Sequence, residues 1–321
     1  MRRVIVVHRD RKSQRTLSRV IASGVGPVTV VETPAAARAL VDGATAAVVS
    51  AEAAAGPGFG ELAAAVRASG GHLLLCGEGG PTAVLTLVRD HELDHVVSSD
   101  PIDLADELPL TLRALAAPAG LCALGAARYL SHGARLEELV PTRTHERVAL
   151  LGRLREGLAA MELSARQERQ AALVADELLA NAIYDAPCAR DEARRESARA
   201  ADREIIPAER PRLRWGSDGR HIAIEVTDPF GAVSPATIRA HVARLIDRST
   251  SPRQGNGGAG LGLAMTFLAT SQLVFHLAPG RATQAIGLID LRARPDGGRA
   301  PVPSLHLHTE PGAATSGRSH G

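Results

Sequence analysis

Five short apolar runs, at residues 4–7, 28–31, 46–49, 72–76 and 95–98, recur through the first hundred residues with amphipathic helical stretches between them. Strands that alternate with helices predict a doubly wound, five-stranded parallel sheet over residues 1–117. The whole chain has 321 residues, so a second domain with its own core is expected after it.

Composition removes several function classes. The formal net charge is +2, the basic residues are spread along the chain and aromatics make up 2% of it. Neither the electrostatic stripe nor the stacking platform of a nucleic-acid binder is present, so no direct nucleic-acid partner is expected. Lys12 is the sole lysine, and no Gly-Lys-Ser/Thr triplet exists for a P-loop. Cys76, Cys122 and Cys188 are scattered without a CxxC pair, which suits reduced thiols better than a disulfide frame or a zinc site. The run Val4-Ile5-Val6-Val7 is too short for a signal-peptide core, and no segment reaches about 18 uninterrupted apolar residues. The expectation is a soluble, cytoplasmic protein with no membrane partner.

The densest chemical signal is Gly255-Asn256-Gly257-Gly258-Ala259-Gly260-Leu261-Gly262-Leu263, five glycines running into the apolar segment 264–269. Glycine costs conformational entropy. A glycine loop that opens a helix offers free N–H groups and the positive dipole end to a phosphate. A flexible linker is the bland alternative, but linkers are unstructured on both sides, whereas an apolar segment follows here at once.

Two further stretches stand upstream. In Val174-Ala175-Asp176-Glu177-Leu178-Leu179-Ala180-Asn181, Glu177 and Asn181 are four apart and project from one helix face. In Ile222-Ala223-Ile224-Glu225-Val226-Thr227-Asp228-Pro229-Phe230-Gly231, an alternating strand ends in an acid and a turn. Acid–amide helix, strand–Asp–turn and glycine loop–helix, in that order, resemble the three nucleotide-binding boxes of the GHKL superfamily of ATPases and kinases. The likeness covers residues 145–293 and implies a C-terminal α/β sandwich of the GHKL type that binds Mg-ATP.

The resemblance implies roles residue by residue. Asn181 would be the Mg²⁺ ligand. Glu177 would orient or deprotonate the attacking group, as in the hydrolytic members and serine kinases. Asp228 would accept a hydrogen bond from the adenine amino group, with Gly231 in the turn behind it. Residues 248–258 would form the lid, and Gly258, Gly260, Leu261 and Gly262 would approach the phosphates. Thr283 either assists Asp228 through water or is only a β-former at a strand start. Several positions depart from the family pattern: Tyr184 stands where kinases of the superfamily often carry a cation, Asp185 would repel phosphate, and Phe230 and Ala232 replace two glycines.

The remaining segments are read as follows. Residues 1–117 resemble a response-regulator receiver, but Ser50 occupies the phospho-acceptor position, Asp100-Pro101 replaces the family's Lys-Pro, and Asp10 is the remaining acid near the first strand. That implies a pseudo-receiver without phosphorylation. Residues 118–144 read as a connecting helix. His145 invites comparison with a histidine-kinase box, yet a solvated histidine near a helix start fits better. Residues 189–212 read as a mobile charged insertion. Ser217-Asp218-Gly219-Arg220 marks a hairpin. Residues 294–321 read as a disordered tail in which His306 and His308, without a fixed backbone, are weak metal ligands. The combined expectation is an anti-sigma-factor-type serine/threonine kinase in a partner switch, acting on a protein partner such as an anti-anti-sigma-like regulator. The competing expectation is a non-catalytic ATP-dependent protein-binding module; a homodimer is compatible with either.

Overall fold

The computed structural model describes residues 3–77, 80–98, 101–116, 125–188, 202–247, 261–292 and 302–310. Strands β1 (Arg3–Val7), β2 (Val28–Val31), β3 (Ala44–Ser50), β4 (His72–Gly77) and β5 (His95–Ser98) form at the five apolar runs. They pair in parallel in the order β2-β1-β3-β4-β5. Successive side chains on a strand point to opposite faces. Val4, Val6, Val48, Leu74 and Val97 therefore pack on α1 (Arg11–Ala22) and α6 (Pro101–Ala116) through Leu17, Ile21, Leu108 and Leu112. Ile5, Val7, Val49 and Leu75 meet the opposite layer, α2 (Pro34–Arg38), α3 (Ala51–Ala54), α4 (Phe59–Ala68) and α5 (Pro81–Asp90). Helices on both faces are what an all-parallel sheet requires.

The sheet does not stop there. Strands β6 (Leu136–Leu139), β7 (Arg212–Ser217), β8 (His221–Asp228), β9 (Gln272–Ala278), β10 (Ala282–Asp290) and β11 (Ser304–Thr309) complete a mixed, eleven-stranded sheet. Its order is β2-β1-β3-β4-β5-β11-β9-β10-β8-β7-β6. The β7–β8 hairpin forms at the expected turn, where Gly219 takes φ +81°. The Asp218 carboxylate ties that turn down by accepting from the Arg220, His221 and Ser131 N–H groups. Although burial pushes Asp218 up, these donors hold its pKa at about 2.

On one face of this half lie α7 (Arg147–Ala159), α8 (Ala165–Ala180), α9 (Pro235–Asp247) and α10 (Leu261–Ala269). One hydrophobic cluster, from Ile5 to Leu307, runs beneath both halves. In α7 the buried stripe is Leu150, Leu154 and Leu158, and Val148 is exposed at 72%. The stripe is thus set by residues four apart, and Val148 lies off it.

Three expectations are corrected. The first is the tail: residues 304–309 are not disordered but form β11, with Leu305 and Leu307 buried in the core. Low apolar content over the whole segment masked a period-2 pattern, Leu305/Leu307 on one face and His306/His308 on the other, that is enough for one strand. Residues 294–301 and 311–321 lie outside the described residues.

The second correction is the connecting helix. Within the described residues of 118–144 the chain forms a 3₁₀ turn, Gly125–Arg128, then the edge strand β6, and a second 3₁₀ turn opens at Thr144. Gly125 and Gly133 adopt φ +53° and +90°, conformations that break a helix. A β-carbon on Gly125 would lie 2.3 Å from Glu225 Oε2, so the chain passes there without a side chain. Ala126 and Leu130 then cover the second face of the sheet over Ala223, Val274, Ile286 and Leu288.

The third is the charged insertion, of which residues 202–212 are docked. Asp202 pairs with Arg143 at 2.8 Å, Ile205 is buried, and its N–H donates to Thr142 O at 2.8 Å. Residues 189–201 lie outside the described residues.

Candidate functional site

Helix α8 begins with a capping box: Ser164 Oγ accepts from Gln167 N, and the Gln167 side chain accepts from Ser164 N. Ala171, Val174, Ala175, Leu178 and Leu179 anchor it to the sheet. That leaves Glu177 and Asn181 half-buried on its flank. At Asn181 the regular α-helix ends and a π-helical turn, Asn181–Asp185, begins. Such turns are frequent at functional sites.

Glu177 reaches across to α10. A β-carbon at Gly262 would lie 1.7 Å from Glu177 Oε2 and 2.5 Å from Cδ. The carboxylate is therefore seated on the bare α-carbon of Gly262, and only glycine permits that approach. The acid–amide helix and the glycine-box helix meet at the two residues singled out in the sequence. Gly258 and Gly260 lie outside the described residues, as does the rest of the expected lid; Leu261 opens α10.

Asp228 closes β8. It is buried, and its Oδ1 accepts from Phe230 N at 2.9 Å and Gly231 N at 3.3 Å. Burial pushes its pKa up from the ordinary carboxylate value, against the pull of these N–H groups and of Thr283. Thr283 stands directly opposite Asp228 across the β8–β10 ladder. Its Oγ1 is buried and lacks a hydrogen-bond partner of normal geometry. Gly231 has φ +57°, and a β-carbon there would strike backbone, Ala278 O at 2.3 Å and Arg281 N at 2.7 Å. The turn after Asp228 is thereby clamped to the β9–β10 turn, with Gly280 N donating to Gly231 O at 3.0 Å.

The departures noted in the sequence also find places. Tyr184 turns into the core, where its hydroxyl donates to Thr144 O at 3.0 Å, so it does not occupy the flank shared by Glu177 and Asn181. Arg147 lies over the Tyr184 ring, 5.9 Å from its centroid, and pairs with Asp176. His145 is exposed at the start of α7, as a solvated histidine should be. Ser50 is buried and caps α3, its Oγ accepting from Ala53 N at 3.2 Å. Asp10 caps α1 through Ser13 N at 2.7 Å, a bond that lowers its pKa.

A second polar group lies on the other face of the sheet and was not foreseen. Tyr129 Oη bonds His276 Nε2 at 2.9 Å, His276 Nδ1 bonds Gln284 Oε1 at 2.7 Å, and Gln284 Nε2 donates to Glu225 Oε1 at 3.2 Å. Burial lowers the His276 pKa to about 4, so this chain of bonds runs through a neutral ring. Beside it His95, His306 and His308 stack together, all buried. The available signal was the alternation Ser304-Leu305-His306-Leu307-His308, legible only once that segment is known to be a strand.

Comparison with protein-family models and with curated proteins finds no match to this chain. Among the described residues no helix is long and apolar enough to cross a membrane.

Proposed function

We propose that this chain is an Mg-ATP-binding signalling regulator with a GHKL-type C-terminal half and a receiver-like N-terminal half that lacks a phospho-acceptor. The observation that carries the reading is the seating of Glu177 on Gly262, which brings two boxes far apart in sequence to one place. Asp228 and Thr283 support the third: a buried acid whose pKa burial raises faces a buried hydroxyl across the β8–β10 ladder, a polar pair able to hold a ligand. The strand order β2-β1-β3-β4-β5 is that of receiver-like doubly wound sheets. With Ser50 spent on a helix cap, no carboxylate stands at the end of β3 to take a phosphoryl group.

These residues fit the nucleotide. Asp228 would accept from the adenine amino group and thereby prefer adenine to guanine. Thr283 would complete that end of the site, Asn181 would hold Mg²⁺, and Gly262 would keep the Glu177 carboxylate close to the phosphates. Bound ATP would supply a transferable phosphoryl group. Glu177 would orient the serine or threonine hydroxyl of a protein partner and take its proton. This makes the chain an anti-sigma-factor-type serine/threonine kinase in a partner switch.

A second reading, a non-catalytic ATP-dependent protein-binding module, draws on the same contact. A carboxylate packed on a glycine can serve as a latch between two helices without acting as a base.

The test uses the full chain. ATP and ADP are expected to bind and GTP not, with Asp228→Asn weakening ATP by about 1.5–3 kcal/mol, the scale of a hydrogen bond to a charged group. Equal affinity for ATP and GTP removes the adenine assignment. Asn181→Ala should abolish Mg-dependent affinity, whereas Glu177→Ala should keep ATP and lose about 10²–10⁴-fold in phosphoryl transfer. If Glu177→Ala leaves partner binding and its ATP dependence unchanged, and wild-type protein transfers no phosphate, the latch reading stands.

A further inference from the structure

Strand β11 joins two half-sheets through a narrow seam. It pairs with β9 along its whole length, from Ser304–Gln272 to Thr309–Leu277. Toward β5 the ladder has only two residue pairs, Leu305–Val96 and His306–His95. At that seam His95 from β5 and His306 and His308 from β11 project together on the face away from α8 and α10. His95 and His306 stack with ring centroids 5.7 Å apart, and His95 and His308 lie at 5.1 Å. All three are at most 3% exposed.

The decisive feature is in their nitrogens. The Nδ1 atoms of His95, His306 and His308 are each buried without a hydrogen-bond partner. Buried polar atoms in folded proteins are almost always satisfied, and an unsatisfied one calls for a water or an ion. The three rings also meet: one nitrogen of each, Nδ1 or Nε2, lies within 4.8 Å of the others. His306 has its tautomer set, because Nε2 bonds Glu107 Oε1 at 2.7 Å, and Ser304 Oγ donates to the other carboxylate oxygen at 2.9 Å. A histidine that donates one N–H to a carboxylate presents the other nitrogen as a lone pair, the arrangement found behind metal-bound histidines.

We propose that His95, His306 and His308 bind one zinc-class divalent cation that staples the C-terminal strand to the N-terminal sheet, with Glu107 positioning His306. Three imidazoles suit zinc, and tetrahedral bonds of about 2.0–2.1 Å would draw their ligand nitrogens to about 3.3 Å from one another. His276, next to His308, is not the fourth ligand, because both its ring nitrogens are bonded to Tyr129 and Gln284. The fourth position falls to water. The site does not depend on the nucleotide reading, since its residues lie on the opposite face of the sheet from Glu177.

The experiment starts from full-length protein stripped with a chelator, dialysed against Zn²⁺ and assayed by elemental analysis. One equivalent per chain should be retained, zinc should raise the melting temperature and magnesium should not. Cobalt loaded in its place should give the visible absorption of a low-symmetry nitrogen site. His95→Ala and His308→Ala should each lose the equivalent, Glu107→Gln should weaken it about 10–100-fold, and the exposed pair His132→Ala/His145→Ala should leave it intact. The proposal is overturned if wild-type protein retains no zinc, or if the exposed pair removes the equivalent while His95→Ala and His308→Ala keep it. Should the buried variants fail to fold, the wild-type protein decides: no zinc-dependent rise in melting temperature and no cobalt absorption sink the proposal.

Discussion

Gly262→Ala tests the contact on which the nucleotide site rests, and the structure fixes the sign of the result in two backgrounds. Inside a helix, alanine is better than glycine by about 0.8–1 kcal/mol. At Gly262 that gain is opposed, because the new β-carbon would sit 1.7 Å from Glu177 Oε2. The obstacle is the end of a flexible side chain, so the carboxylate can swing aside at the cost of an off-rotamer geometry, about 0.5–1.5 kcal/mol, and of whatever favourable setting it leaves. Gly262→Ala in the wild-type background should thus be neutral to destabilising by about 1 kcal/mol. In a Glu177→Ala background the obstacle is gone, and the same substitution should stabilise by about 1 kcal/mol. The coupling, about 1–2 kcal/mol, lies within the range seen for touching residues. Urea unfolding of the four proteins, followed by circular dichroism, measures it. If Gly262→Ala has the same effect in both backgrounds to within about 0.5 kcal/mol, Glu177 does not rest on Gly262 and the convergence of the two boxes is wrong.

Gly231→Ala offers no such escape: it meets backbone at 2.3–2.8 Å and must adopt φ +57°, so a loss of about 2–4 kcal/mol in urea unfolding is expected, and a loss under about 1 kcal/mol would refute the clamp. Asp228→Asn should separate binding from stability. Because burial raises the folded-state pKa of Asp228 above the unfolded value, its charged form opposes folding, and that opposition is relieved as pH falls through the folded pKa. The asparagine variant is therefore expected to melt at or above the wild-type temperature at neutral pH while losing ATP; a clear drop in melting temperature would count against this. Trp215 is fully buried, so Trp215→Ala should cost about 3–5 kcal/mol. Its Nε1 lacks a hydrogen-bond partner, so Trp215→Phe leaves no orphaned acceptor behind and should cost distinctly less, as circular dichroism melts can show.

Legibility in the sequence followed the range of the forces involved. The five N-terminal strands, the acid–amide helix α8 and the β7–β8 turn were readable because each is set by a local pattern: apolar runs, residues four apart on one helix face, and Asp-Gly at a turn. Glu177 and Gly262 were named from their own surroundings, but their contact spans 85 residues of chain and only the packing of α8 against α10 brings it about. What failed was reading by averaged composition. Residues 118–144 look helical if alanine and leucine are weighed together, yet Gly125 and Gly133 hold the left-handed conformations that decide the path.

The same averaging hid the tail, and the reason bears on how the chain is built. A six-residue strand such as β11 gains little alone; its backbone is paired by β9 on one side and by β5 on the other. Leu305 and Leu307 contribute to the helix-covered core, which explains two of its six side chains. On the other face, His306 and His308 are polar groups placed in the interior, where aliphatic residues of similar size would pack with no desolvation cost. Stability of the sheet does not ask for them. With His95 brought beside them from a strand 211 residues earlier than His306, three imidazoles share one interior seam. A cation bound by the three imidazoles would bridge β5 and β11 at that seam. If zinc protects the β5 and β11 amides from hydrogen exchange and leaves those of β1 and β3 unchanged, the histidines control the seam; uniform protection across the sheet would mean that they do not.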